Sequence, residues 1–125
     1  MQVGSSTNYD KHIYMGNDGR LRFGVYSGGA IAITTPNAYN DNAWHHVVAV
    51  QDGGGTKLYV DGTLAVRGTA TTNQHLTGFW RIGGDNLGHW PGAPTSAYFK
   101  GSIGQVAVYP TALSASACTS TRRWA

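Results

Sequence analysis

Asp61-Gly62 stands between two runs of alternating character, and that arrangement leaves few folds open. Thr56-Lys57-Leu58-Tyr59-Val60 precedes the pair and Thr63-Leu64-Ala65-Val66 follows it. Side chains of a strand point to opposite faces in turn. An Asp-Gly pair tolerates the positive φ angles that a tight hairpin needs. The same grammar recurs upstream. His12-Ile13-Tyr14-Met15 leads into Gly16-Asn17-Asp18-Gly19, and Arg20-Leu21-Arg22-Phe23-Gly24-Val25-Tyr26 returns with Leu21, Phe23 and Val25 on one face. Short strands closed by Gly-rich turns predict an all-β, antiparallel sandwich or barrel. Composition agrees: the 125 residues include 18 Gly, only 12% charged residues and no Glu, whereas helical surfaces are normally built with Glu and Lys. No helical pattern is long enough for a β-α-β crossover.

Along the chain, residues 1–9 are polar and read as a flexible leader. Residues 10–117 read as one β-sandwich domain and 118–125 as a polar tail, with Cys118 incidental. Ala30 to Thr34 predicts a short strand closed by Pro36. Trp44 to Val50, apolar on both faces, predicts a central strand covered on both sides. Asp52-Gly53-Gly54-Gly55 turns that strand back. Strands are also expected at Trp80 to Gly83 and, with bends at Gly101 and Gly104, at Tyr98 to Tyr109. Thr111 is positioned to cap a short helical turn at Ala112 to Ala117.

Several functions are set aside at this level. The net charge is +3 and the pI is about 9.2, yet the cations are scattered, so no nucleic-acid partner is expected. Apolar runs such as Val47 to Val50 reach only four residues, too short for membrane insertion. The first residues have neither the charged nor the apolar region of a signal peptide. One Cys forbids an intrachain disulfide. His45 and His46 are neighbours on a strand and point to opposite faces, so they are read as structural rather than as a metal pair.

Asn40-Asp41-Asn42-Ala43-Trp44-His45-His46-Val47-Val48-Ala49, Leu58-Tyr59-Val60-Asp61-Gly62, Ile82-Gly83-Gly84 and Phe99-Lys100-Gly101-Ser102-Ile103 follow one another in an order that resembles the LamG-like (laminin G, concanavalin A-like) family. Val106 to Tyr109 and Ala112-Leu113-Ser114 extend the likeness. The segments Asn8 to Met15 and Gly83 to Gly88 resemble a bacterial branch found in large secreted multidomain proteins. The resemblance implies a jelly-roll sandwich in a secreted or cell-surface parent protein. In this setting Trp44 is expected to cover one end of the core. Two departures stand out. Gly104-Gln105 occupy positions where the family carries an Asp-Glu pair. The likeness also begins partway into the family's domain, which implies a sandwich lacking its first strands and completed by association as a homo-oligomer.

Relatives in this fold class include glycanases that work with two Glu residues. With no Glu, and with Asp18, Asp52 and Asp61 in turns, no enzyme is expected. The first functional expectation is therefore a non-catalytic glycan- or polysaccharide-binding module. Its candidate residues are Asp85, Asn86, His89, Trp90 and Tyr98, on a long loop carried by a rigid sandwich. The alternative is a protein-interaction or structural assembly module whose main property is self-association. The resemblance also admits calcium as a cofactor, with Asp41, Asp85 and Asn86 as candidate oxygen ligands.

Overall fold

In a computed structural model the chain is described at residues 2–4, 9–74, 78–84 and 86–120. The strands are β1 (Gln2–Gly4), β2 (Tyr9–Asp10), β3 (His12–Met15), β4 (Arg20–Tyr26), β5 (Ala30–Ala38), β6 (Val47–Asp52), β7 (Gly55–Val60), β8 (Thr63–Gly68) and β9 (Gly78–Trp80), followed by one short helix, α1 (Ala115–Ser120). Among the described residues all strand pairings are antiparallel, in three sheets ordered β2-β1-β9, β3-β4-β5 and β6-β7-β8. The expected all-β antiparallel architecture is borne out, and its sheets are not closed.

The hairpins form where turn chemistry demands them. Asp61 and Gly62 take φ of 53° and 80°, the double positive φ of a tight turn, and set Val60 opposite Thr63. The Asp52 carboxylate accepts from Gly54 N–H at 2.7 Å and closes the turn between β6 and β7. The alternation in β4 holds: Leu21, Phe23 and Val25 are buried, and with Ile33, Leu58 and Val60 they form a core shared by two sheets.

β5 runs past Pro36 to Ala38 rather than ending before it. The pairing of β4 with β5 shifts register between Arg20 and Arg22. Proline has no N–H to offer a ladder, and a bulge absorbs it. The Thr35 hydroxyl then accepts from Leu21 N–H at 3.1 Å and donates to Asn37 O at 2.8 Å, so a side chain replaces the interrupted backbone pairing.

Other expectations are corrected. Gln2–Gly4, inside the segment read as a leader, pairs with both β2 and β9. The strand predicted from Trp44 begins at Val47 and lies at the edge of its sheet rather than at its centre. The strand predicted at Trp80 to Gly83 is found earlier, at Gly78–Trp80. Tyr98 to Tyr109 forms no strand; an isolated bridge joins Gly84 to Tyr98, and residues 99–110 are exposed. Strand residues alone do not make a strand, since a neighbouring edge must take their N–H and C=O groups. The helix begins at Ala115, and the Ser114 hydroxyl, not Thr111, caps it by accepting from Ala117 N–H at 3.2 Å. Cys118 is fully buried against Val50 and Tyr59, so the first residue of the expected tail belongs to a core.

Candidate functional site

The loop from Gly84 to Tyr98 is closed at its base, where Phe99 N–H donates to Gly83 O at 2.8 Å beside the Gly84–Tyr98 bridge. Inside it the chain folds into successive turns. Trp90 N–H reaches Leu87 O at 3.2 Å, and Ala93 N–H reaches Trp90 O at 3.1 Å. The Asn86 side-chain oxygen accepts from Gly88 N–H at 2.9 Å. Farther on, Thr95 N–H donates to the Asn17 side chain at 3.1 Å and ties the loop to the turn between β3 and β4.

Trp90 faces inward. It is 7% exposed and packs with Tyr14 and Leu87. Its ring lies over Gly24, where a Cβ would come within 2.8 Å of it, and 4.2 Å from the His12 ring centroid. The Tyr14 hydroxyl donates to Pro91 O, and burial pushes the Tyr14 pKa up to about 12, so it remains a donor at any ordinary pH. Trp90 therefore anchors the loop and does not present a stacking face. Asn86, His89 and Tyr98 are exposed, and Tyr98 is 74% exposed. Asp85 lies outside the described residues.

The candidates are divided between two surfaces. Tyr98 lines a cleft of about 2270 Å³ whose walls include Trp44, Val48, Ile82, Ile103 and Val106, whereas Asn86 and His89 are not among its lining residues. Sequence reasoning missed the exposure of Trp44. Its ring is 75% exposed on the cleft instead of covering a core. Asn42, at φ 59°, turns the chain before Trp44, and β6 starts only three residues later. The signal for that placement was the Asn-Asp-Asn run, a turn sequence adjoining the aromatic residue.

Beside Trp44, His45 bridges two carboxylates. Its Nδ1 lies 2.7 Å from Asp61 Oδ2 and its Nε2 lies 2.8 Å from Asp41 Oδ1. Asp61 also accepts from His46 N–H at 3.0 Å. The bond to Asp61, then that to Asp41, raises the His45 pKa above its ordinary value, and the bond to His45 lowers that of Asp41. A histidine with a raised folded-state pKa stabilises most below its unfolded value and loses that contribution as pH rises through the folded value. Asp41 acts in the opposite sense, losing its contribution as pH falls through its lowered pKa. The thermal midpoint is thus expected to fall as pH rises from 6.5 through the alkaline side of neutrality. In His45→Gln that slope flattens, as a melting series across this range would read.

Of the three calcium candidates, Asp41 and Asn86 fall within the described residues. Asp41 Oδ1 is engaged with His45 and with Ala43 N–H at 3.1 Å, and the Asn86 oxygen is held in its own turn. Among the described residues no three His, Cys, Asp or Glu side chains come together to hold a metal ion.

A family model described as "Concanavalin A-like lectin/glucanases superfamily" matches residues 1–117. No curated protein matches the chain. A solved crystal structure of an S-layer domain-containing protein (residues 221–444) from Clostridium thermocellum is similar in fold, with a TM-score of 0.56 at 20% identity. The match covers 98% of this chain and 61% of that one. The resemblance carried by the Trp44 strand region, the Asp61-Gly62 hairpin and the Gly83-Gly84 loop entry is borne out: the chain belongs to the concanavalin A-like lectin/glucanases superfamily.

Proposed function

We propose that this chain is a non-catalytic carbohydrate-binding module of a secreted or cell-surface protein, with Tyr98 as its sugar-stacking face. One observation carries the reading. Tyr98 is three-quarters exposed at the base of a loop that Trp90 and Leu87 lock to β3 and β4. A rigid loop that presents an aromatic ring suits a ring-shaped ligand with apolar C–H faces, because little ordering is left to occur on binding. Asn86 and His89 are exposed on the same loop but on a different surface, so Tyr98 is the contact this reading rests on. The lectin superfamily supports the substrate class. The surface location draws on the S-layer neighbour, and among the described residues no helix is long and apolar enough to cross a membrane.

The non-catalytic part of the reading draws on the carboxylates. Asp10 is fully buried, Asp18 pairs with Arg22, Asp41 and Asp61 hold His45, and Asp52 closes a turn. Each of these five is thus engaged in a structural contact, and no Glu is present to make the pair of Glu residues that glycanases of this fold use.

The test is retention on immobilised polysaccharides and a glycan array. Wild type is expected to bind at least one glycan class. Tyr98→Ala is expected to weaken that binding by about tenfold with its melting temperature unchanged. No retention on any glycan, or equal retention by Tyr98→Ala, would overturn the proposal. A second reading, a structural module that self-associates, is favoured by one separate observation: exposed apolar side chains, Trp44, Ile82, Ile103, Val106 and Val108 among them, border the cleft.

A further inference from the structure

Residues 99–112 form a strap held at both ends and unsupported between them. At one end Phe99 N–H is bonded to Gly83 O. At the other, Leu113 packs on the cluster of Val50, Tyr59 and Cys118, and the Thr119 hydroxyl of α1 donates to Gly62 O at 3.0 Å. Between these anchors the strap makes no backbone hydrogen bond to another described backbone group. Its apolar side chains are about half exposed: Ile103 48%, Val106 53%, Val108 54% and Tyr109 51%. These are β-branched and aromatic residues suited to a strand. The outer edge of β6 faces the same cleft and pairs with no strand among the described residues.

The size and lining of this cleft indicate what fills it. Pockets for small ligands hold about 300–1,000 Å³, and this one is more than twice the upper figure. Its exposed apolar residues, Trp44, Ile82, Ile103, Val106 and Val108 among them, offer a polypeptide a row of contacts. Natural edges that must stay unpaired carry charge or proline along their length. From Gly101 to Tyr109 this segment has neither. The charge of the strap, Lys100, lies near one end, so two straps running antiparallel bring no like charges face to face. A segment that is uncharged, strand-forming and open along its edge is complementary to itself, and a two-fold axis satisfies both copies at once.

We infer that two copies of this chain associate through residues 99–112, each strap pairing as a β-strand with the other copy and covering the cleft. This rests on the self-association reading above and names its surface. The test measures the solution mass of the 125-residue chain by light scattering over a concentration series, with amide hydrogen exchange on the same samples. Wild type is expected at twice the 13.3 kDa of one chain, with amides of 101–109 protected. Val106→Lys is expected to shift the monomer–dimer midpoint by at least about tenfold and to remove that protection. Because Val106 is exposed in the single chain, the substitution leaves its melting temperature nearly unchanged. Ile31→Lys, at an exposed site outside the cleft lining, should remain dimeric. A monomeric wild type at every concentration overturns both the inference and the self-association reading. A dimer that survives Val106→Lys, or that Ile31→Lys disrupts equally, overturns the strap as the interface while self-association stands.

Discussion

Asp10→Ala is expected to cost about 3 kcal/mol or more, a large part of the stability of a domain of this size. The Asp10 side chain is fully buried. One carboxylate oxygen accepts from Lys11 N–H and from Tyr26 N–H, each at 2.8 Å, and the other accepts from Gln74 N–H at 2.7 Å. Three donors from distant parts of the chain therefore converge on one side chain: the entry to β3, the end of β4 and the segment after β8. Removing an acceptor from a buried donor costs roughly 1–3 kcal/mol each, because the N–H groups keep their desolvation and lose their partner. Asp10→Asn retains one carbonyl oxygen and is expected to lose less. Urea unfolding followed by tryptophan fluorescence reads both variants. An Asp10→Ala midpoint equal to that of an exposed control such as Thr71→Ala would refute the assignment.

Asp10 also marks the limit of what the sequence discloses. The hairpins were legible because their causes are local. Asp61-Gly62 needs two positive φ angles and supplies them, and the alternation of Leu21, Phe23 and Val25 states which face is buried. Polar residues that bind across the fold announce nothing of the kind. Asp10 carries no local signal of its role, and its partner at Gln74 is 64 positions away. Pro36 reads as a strand end for good local reasons. The bulge that carries β5 past it depends on Thr35 reaching Leu21, 14 positions back. Residues 99–110 show the converse case. Their strand character is plain in the sequence, yet no strand forms, because the neighbouring edge is not part of the chain's local grammar. The loop from Gly84 to Tyr98 was legible as a loop, and the inward turn of Trp90 was not. Whether Trp90 faces solvent is decided by the missing Cβ of Gly24, 66 residues away, which leaves a flat seat for the indole.

That seat leads to the second large effect. Trp90→Ala is expected to cost about 3–5 kcal/mol, the usual range for truncating a buried tryptophan. The loss should concentrate in the loop. Trp90 belongs to a small cluster with Tyr14 and Leu87, separate from the core shared by β4, β5 and β7. With the indole gone, the Tyr14 bond to Pro91 O and the turns around Leu87 lose their support. Hydrogen exchange should then rise across residues 86–98 before it rises in β4. Gly24→Ala tests the same contact from the other side. Its Cβ would come within 2.8 Å of the ring, and overpacking of this kind costs about 1–3 kcal/mol. The pair of aromatics thereby separates platform from contact in carbohydrate binding. Tyr98→Ala should weaken glycan retention while leaving the melting temperature alone, because its ring is exposed. Trp90→Ala should weaken retention only together with stability, and lowering the temperature should restore part of it as the loop refolds. If Trp90→Ala loses retention with its stability and loop exchange unchanged, the indole contacts the sugar directly and the inward anchor assigned here is wrong.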